Sequence, residues 1–251
     1  MWSGGIARSL AGTTGFIAIL LIVWAWVIGT FAVPAFIMPG PAAVGTTLWA
    51  ELAPIGEALF ATVRSAVLGL LIATVLALLL AAAFTASDLA TRAFLPLVIG
   101  LRTAPVLAIA PILMLIFGRG LGTSLAVVVI VGFFPIMVNA MRGFRAVDAS
   151  VLELMHVAGA RPWQIFLKVR LPTAIPFIMT GLRAASAGAL LGAMLAEWLS
   201  GAPGLGTLIL EAHSYRQLDL LWAAVLTTTA AAFCLFSAFA GAERWLTSWR
   251  A

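Results

Sequence analysis

A polar segment at 153–172 interrupts a mostly apolar chain and collects side chains that can pair charges. Glu153 can form an ion pair with a basic residue of a partner, and the segment also holds His156, Arg161, Gln164, Lys168 and Arg170. Gly159 allows a sharp reversal of the backbone, and Pro162 suits the first turn of a helix. These residues predict two short helices, at 149–158 and 162–169, that meet at Gly159.

Signals for covalent chemistry are missing from the sequence. No serine lies in a nucleophile-elbow pattern, and no glycine-rich phosphate loop of the Walker type is present. We therefore predict no catalytic residue and no ATP hydrolysis by this chain. One cysteine, Cys234, and two distant histidines predict no metal site, and Cys234 is expected to be a small buried hydrophobe. An intramembrane enzyme stays as an alternative, which would need a nucleophile–base pair.

Composition assigns the chain to the membrane proteins. Hydrophobic residues make up 63%, charged residues 9%, and the mean hydropathy is +1.15. Soluble domains average about 25% charged residues. Runs of roughly 20 apolar residues can cross a hydrocarbon core of about 30 Å, whereas a barrel would show alternating segments of about ten residues. The fold class predicted is an all-α polytopic protein, with a single transmembrane domain at 1–251 and its core at about 60–245.

Six spans are predicted, with the polar segment between the fourth and the fifth. Their limits are 15–38, 63–84, 102–117, 121–141, 173–196 and 220–240. Pro- and Gly-rich residues after the first span predict a loop and a short, partly amphipathic surface helix before residue 63. Pro105 and Pro111 fall in the third span, where they can shape a pathway or only bend the helix.

The net charge of +5 is explained by membrane topology rather than by nucleic acid. Of fourteen basic residues, only Arg64, Arg119 and Arg216 fall on the outer side of the predicted spans, which leaves eleven inside. The positive-inside rule then places both termini and the polar segment in the cytoplasm of a multi-pass inner-membrane protein. Arg161, Lys168 and Arg170 are interpreted as anchors for lipid headgroups, with partner contact as the alternative.

No acidic residue is expected deep inside a span, because Asp and Glu fall in loops or at span ends. Proton- and sodium-coupled transporters usually carry such an acid, since it is costly and marks the coupling site. The energy for transport is therefore expected to come from a source other than a proton or sodium gradient. A secondary transporter remains the alternative, because sodium can also be bound by backbone carbonyls.

The spacing within the polar segment resembles the EAA loop of permease subunits of binding-protein-dependent ABC importers. Glu153, five residues, Gly159, nine residues, Val169, one residue and Leu171-Pro172 keep the family spacing. Leu154 and Met155 replace two alanines, and Val169 replaces an isoleucine. The stretches "LRTAPVLAIAPILMLIFGRGLGTSLAVVVIVGFFPIMVNAMRGFRAVD" and "AEWLSGAPGLGTLI" are similar to the branch that imports nitrate, aliphatic sulfonates and taurine.

The resemblance implies a non-catalytic permease that forms a homodimer with two cytoplasmic ATPase subunits and an external solute-binding protein. ATP and Mg²⁺ would be held by the ATPases, with no cofactor on this chain. The loop residues implied in ATPase coupling are Glu153, Leu154, Met155, His156, Ala158, Gly159, Leu171 and Pro172. Apolar residues on the first loop helix would fill a groove of the ATPase.

Two further sets of residues, and the solute, have more than one interpretation. Glu197, with Gly204 and Gly206, is either an outer gate or binding-protein contact, or a snorkelling carboxylate followed by glycine turns. Gly188 belongs to a run of small residues in the fifth span, which favours close helix packing over a role in lining the pathway. The resembled branch favours a small anion such as nitrate, taurine or another sulfonate, but it also includes importers of pyrimidine vitamin precursors and riboflavin.

Overall fold

A computed structural model describes the backbone at 3–87, 89, 91–93, 96, 100 and 105–247, with side chains from Ala18 onward. The described residues form helices joined by short turns. They are α1 (Ser3–Phe31), α2 (Pro41–Ala50), α3 (Leu52–Ala86), α4 (Val106–Phe117), α5 (Leu121–Arg145), α6 (Ala149–Val157), α7 (Pro162–Ile165), a π-helical turn (Phe166–Arg170), α8 (Leu171–Ser200), α9 (Leu205–Ser214) and α10 (Leu218–Leu246). The predicted start of the third span, 102–104, lies outside the described residues.

Four of the described helices are long and apolar enough to cross a membrane: Leu52–Ala86, Leu121–Arg145, Pro162–Ser200 and Leu218–Leu246. Two shorter apolar helices, Ala18–Phe31 and Val106–Phe117, lie within the first and third predicted spans, and α1 ends at Phe31 rather than at residue 38. The all-α polytopic fold predicted from composition is thus confirmed.

The helix of the second span is longer than predicted. It begins at Leu52 rather than near residue 63, so Arg64 lies inside α3, with its guanidinium 6.0 Å from the Phe60 ring centre. Pro54 sits in the first turn of α3, where a missing N–H costs nothing because the donors there have no helical partner. The predicted surface helix is therefore limited to α2.

The chain divides into two compact units. One comprises 1–56 and 208–227, and its core contains Val44, Ile55 and Ala223 beside the stacked rings of Trp24 and Trp222. The other comprises 57–207 and 228–251. It contains the polar segment and the larger core, which α3, α5 and α8 build together.

Small residues bring α5 and α8 into close contact. A Cβ at Gly181 would lie 3.0 Å from the Ile136 Cα and the Pro135 carbonyl oxygen, and one at Gly143 would lie 2.8 Å from the Ala174 Cα. Close approach of this kind is how membrane helices gain packing energy without a hydrophobic driving force. The close approach at Gly181 fits the packing interpretation of the fifth span, and a role of Gly188 in lining the pathway stays a prediction.

The prediction that Cys234 is buried is wrong, because its side chain is exposed on α10. Only Ala223 and Ala224 are buried on that helix, and both lie in its first half. An apolar helix that contributes so little to the protein core presents its remaining apolar surface outward, as expected in lipid.

Candidate functional site

The first helix of the polar segment, α6, begins after a hydrogen-bonded N-cap residue, Asp148. The Asp148 carboxylate accepts hydrogen bonds from the Ser150 backbone N–H at 3.0 Å and from the Ser150 hydroxyl at 2.9 Å. The backbone bond is the larger of the two causes that lower the pKa of Asp148 below its ordinary value. An ionised cap also complements the positive end of the helix dipole.

No residue of α6 is buried, and one face of the helix is an exposed apolar surface. Val151, Leu154 and Val157 are 40%, 67% and 88% exposed. Residues spaced by three lie on the same side of a helix, so these side chains form one surface, with the exposed Glu153 beside it. An apolar helix face flanked by a carboxylate has the form of a helix that inserts into a groove of a partner.

Gly159 ends α6 in the left-handed conformation, with φ = +68°. The turn closes with the Ala160 N–H donating to the Met155 carbonyl at 3.0 Å and the Gly159 N–H donating to the His156 carbonyl at 3.0 Å. A Cβ on Gly159 would meet no atom within 4 Å. Glycine is therefore required here by the backbone conformation and not by lack of space.

The second helix of the segment continues directly into the fifth span, which corrects the prediction of a separate helix at 162–169. After α7, the π-helical turn Phe166–Arg170 leads into α8, so Leu171 and Pro172 lie inside one continuous helix of 39 residues. Proline cannot donate to the carbonyl of Lys168, four residues earlier. The wider π turn accommodates this missing bond without a break.

The structure keeps most of the predicted coupling residues at the surface. Those exposed are Glu153, Leu154, His156, Ala158 and Gly159, whereas Met155, Leu171 and Pro172 are half-buried. The Nδ1 atom of His156 lies 2.6 Å from the Leu152 carbonyl oxygen, so the ring is held against its own helix. The predicted residues therefore form one surface around the turn at Gly159, apart from Leu171 and Pro172 in α8.

Glu197 lies three residues before the end of α8 and is only 1% exposed, which excludes the snorkelling interpretation. Its Oε2 atom accepts from the Thr62 hydroxyl at 2.9 Å and from the Gly206 N–H at 3.0 Å. The Thr62 oxygen accepts in turn from the Leu205 N–H at 2.8 Å. The carboxylate thus ties α3, α8 and the start of α9 together. The hydrogen-bond network of Glu197, Thr62, Leu205 and Gly206 is called the hub below.

Neither Gly204 nor Gly206 has space for a side chain. A Cβ on Gly204 would overlap the Glu197 carboxylate, and one on Gly206 would overlap the Met194 carbonyl oxygen. Thr62 completes the hub and was missed by sequence reasoning, because a single threonine in an apolar run carries no signal. A role of Glu197, Gly204 and Gly206 as an outer gate or binding-protein contact stays a prediction.

A groove of about 430 Å³ opens between α5 and α8. Gly188 lines it, together with Val131, Phe134, Pro135, Val138, Asn139, Ala184 and Ala185. No residue of this lining is charged, and the Asn139 amide donates to the Pro135 carbonyl at 2.7 Å. Pro105 and Pro111 do not line it: Pro105 caps α4, and Pro111 is exposed within α4.

The sequence profile of the family described as binding-protein-dependent transport system inner membrane component matches residues 73–248. Three relatives are similar over most of their length. The riboflavin transport system permease protein of Chloroflexus aurantiacus is 30% identical, covering 93% of this chain and 88% of its own. The formylaminopyrimidine transport permease protein of Halalkalibacterium halodurans is 32% identical, covering 77% of each. A putative aliphatic sulfonates transport permease protein of Bacillus subtilis is 29% identical, covering 93% and 85%.

Among solved structures, an inward-facing conformation of the MetNI methionine ABC transporter matches with a TM-score of 0.63 and 18% identity, covering 80% of this chain and 98% of that one. This similarity confirms the fold. Taken with the family match over more than half of the chain, it shows that this protein belongs to the inner-membrane components of binding-protein-dependent transport systems, as an ABC importer permease.

Proposed function

We propose that this chain converts ATP-driven movement of partner ATPases into solute import through the coupling loop, defined as residues 149–172. The observation that carries the proposal is the exposed apolar face of α6, which ends at the left-handed Gly159 and has Glu153 at its edge. Burying three large apolar side chains on a partner is worth several kcal/mol at about 1.5–3 kcal/mol each.

The partners follow from this role. Two copies of the permease would bind two ATPase subunits, which hold ATP and Mg²⁺, and an external solute-binding protein would deliver the solute. This chain then binds no cofactor and catalyses no covalent step. The coupling loop must face the ATPases, so the loop and both termini are placed in the cytoplasm. Lipid headgroups at Arg161 would hold the loop at the membrane surface.

For the solute, we infer a small heterocyclic compound of the pyrimidine or flavin class ahead of a sulfonate. The inference takes the groove between α5 and α8 as one wall of the pathway. A sulfonate leaving water needs charged or multiple polar partners, and the groove lining offers one side-chain amide among apolar residues. The relatives include permeases named for riboflavin, formylaminopyrimidine and aliphatic sulfonates, so the order rests on the groove lining. The binding protein would set most of the selectivity.

The test is ATP hydrolysis by the reconstituted complex of this chain, its ATPase and its binding protein. The ligand panel contains hydroxymethylpyrimidine, formylaminopyrimidine, riboflavin, taurine, a longer alkanesulfonate and nitrate. We expect a heterocycle to stimulate hydrolysis and the anions to leave it at the basal rate. Stimulation by taurine or nitrate alone would overturn the solute inference and keep the importer. Failure of the authentic subunits to assemble would overturn the coupling role.

A further inference from the structure

The exit of the coupling loop is bonded to the C-terminal end of α5. Arg170, the last residue of the π-helical turn, donates from Nη1 to the Phe144 carbonyl oxygen at 2.9 Å. Phe144 is the penultimate residue of α5, and the last four carbonyls of a helix have no partner within it. A guanidinium at this position satisfies one of them and complements the negative end of the helix dipole.

The same turn also holds Phe144 by its side chain. The rings of Phe166 and Phe144 lie 5.1 Å apart, centre to centre, and Phe144 is 1% exposed. Phe166 opens the π-helical turn and Arg170 closes it, so a single turn contacts both the ring and the carbonyl of one residue. Single π turns within α-helices are frequent at functional sites.

The end of α5 is bonded in turn to the end of α3. Arg145 Nη2 lies 3.1 Å from the Thr91 hydroxyl oxygen, and that hydroxyl donates to the Phe84 carbonyl at 2.6 Å. Phe84 lies in the last turn of α3. Contacts therefore run in series from the loop exit, through the end of α5, to the end of α3.

The loop and α3 face each other across open space. A cleft of about 280 Å³ separates Ala82, Thr85 and Ala86 from residues of the loop, which are Leu152, His156, Pro162, Ile165, Phe166 and Arg170. The cleft leaves unfilled space between this part of the loop and the end of α3. The π-helical turn of the loop contacts Phe144 through Phe166 and Arg170.

We propose that Arg170 is a positioning residue that transmits displacement of the coupling loop to α5. The π-helical turn holds Arg170 in the position from which it contacts α5. The inference rests on the proposed coupling function. It makes a specific distinction within the loop: α6 and Gly159 engage the ATPase, whereas Arg170 acts inside the permease. Lys168 is an exposed residue of the same turn with the same charge, and it provides a matched control.

The experiment separates ATPase closure from the response of the permease. The complete complex carries Cys234→Ser and Ala184→Cys, which puts one thiol on the lining of the α5–α8 groove. The first readout is nucleotide trapped by ATP and vanadate. The second is the change in the rate at which a maleimide labels residue 184 on trapping. Arg170→Met, Arg170→Gln, Phe166→Leu and Lys168→Met are compared with this background.

We expect Arg170→Met to trap as much nucleotide as the background while its labelling response falls by about 2- to 30-fold, the range for a residue that modulates coupling. Arg170→Gln, which keeps a donor, and Phe166→Leu should show smaller losses, and Lys168→Met should respond fully. An unchanged response in Arg170→Met, or equal losses in Lys168→Met, would overturn the inference. So would failure of Arg170→Met and Arg170→Gln to assemble, since the role would then be structural. Absence of trapping in the background complex would instead overturn the proposed function itself.

Discussion

At the scale of single residues, the coupling loop is controlled by backbone conformation. Gly159 has φ = +68°, and no atom lies within 4 Å of where its Cβ would be. A side chain there costs about 1–2 kcal/mol in the left-handed region, with Asn and Asp the best tolerated L-residues. Asn and Asp have nearly the same shape, so their comparison isolates the effect of charge.

We predict that Gly159→Asn and Gly159→Asp both insert into the membrane in normal amounts, and that Asp impairs transport far more. A buried carboxylate at the docking surface would lack a partner and carry a large desolvation cost. Uptake per inserted permease in proteoliposomes measures the effect. Gly45→Asp, at an open position on α2 outside the loop, is the control. Full uptake by Gly159→Asp would show that this turn is not part of the docking surface.

The cap of α6 should respond to acid. The folded pKa of Asp148 is lowered by the Ser150 hydrogen bonds, so the cap stabilises α6 fully above the unfolded carboxyl pKa of about 4. The contribution is lost as the pH falls through the lower folded pKa. We predict faster amide hydrogen exchange in Ser150–Leu152 below that range, corrected for intrinsic rates. Asp148→Asn, which caps without titrating, should remove this pH dependence; an unchanged profile would contradict the assignment.

Glu197 is predicted to act through its shape and its acceptor oxygen rather than its charge. The two donors to Oε2 are neutral, namely Thr62 and the Gly206 N–H. Gln keeps the acceptor oxygen in nearly the same volume but places an amide N–H2 where Oε1 is buried without a hydrogen-bond partner, so Glu197→Gln should lower the unfolding free energy by about 1–3 kcal/mol. Glu197→Ala leaves both donors unpaired and opens a cavity, at a cost of about 2–5 kcal/mol. Thermal unfolding in detergent measures both, and equal losses would contradict the hub.

At the scale of elements, two features of the fold could be predicted from the sequence and two could not. Apolar runs predicted the spans, and Gly159 with Pro162 predicted the first loop helix and the turn between the two helices. The continuous helix through Pro172 was missed because π turns have no sequence pattern of their own. The Thr62–Glu197 bond joins residues 135 positions apart, a separation that local periodicity does not address.

The contact between α8 and α10 has its own electrostatic test. Arg183 Nη1 lies 3.0 Å from Glu243 Oε2, and the Thr180 hydroxyl donates to Glu243 Oε1 at 3.0 Å. The Arg183 side chain is 37% exposed, so the pair is worth about 1 kcal/mol rather than the value of a fully buried pair.

We predict that Arg183→Met and Glu243→Gln each lower the unfolding temperature, and that the double variant loses less than the sum of the two. The difference is the coupling energy of the ion pair. Arg216→Met, on a positive-φ residue after α9, is a control for loss of an arginine elsewhere. Strictly additive losses would show that the two side chains act independently.

At the scale of the whole molecule, ATPase docking and solute passage are expected to use different parts of the chain. The coupling loop exposes an apolar docking face, while the groove between α5 and α8 is free of charge. The described acidic residues of the long helices α8 and α10 lie near helix ends, with Glu197 and Glu243 each three residues from the last residue. A chain arranged in this way is suited to power supplied by partners rather than by an ion gradient.

The most direct test of that claim is uptake into proteoliposomes that contain this chain, its ATPase and its binding protein. The radiolabelled solute is the compound that stimulates ATP hydrolysis. Uptake is measured with ATP or a non-hydrolysable analogue, and with or without ionophores that collapse proton and sodium gradients. We predict that uptake requires ATP hydrolysis and is unaffected by the ionophores. Uptake without ATP that the ionophores abolish would contradict it and identify a secondary transporter.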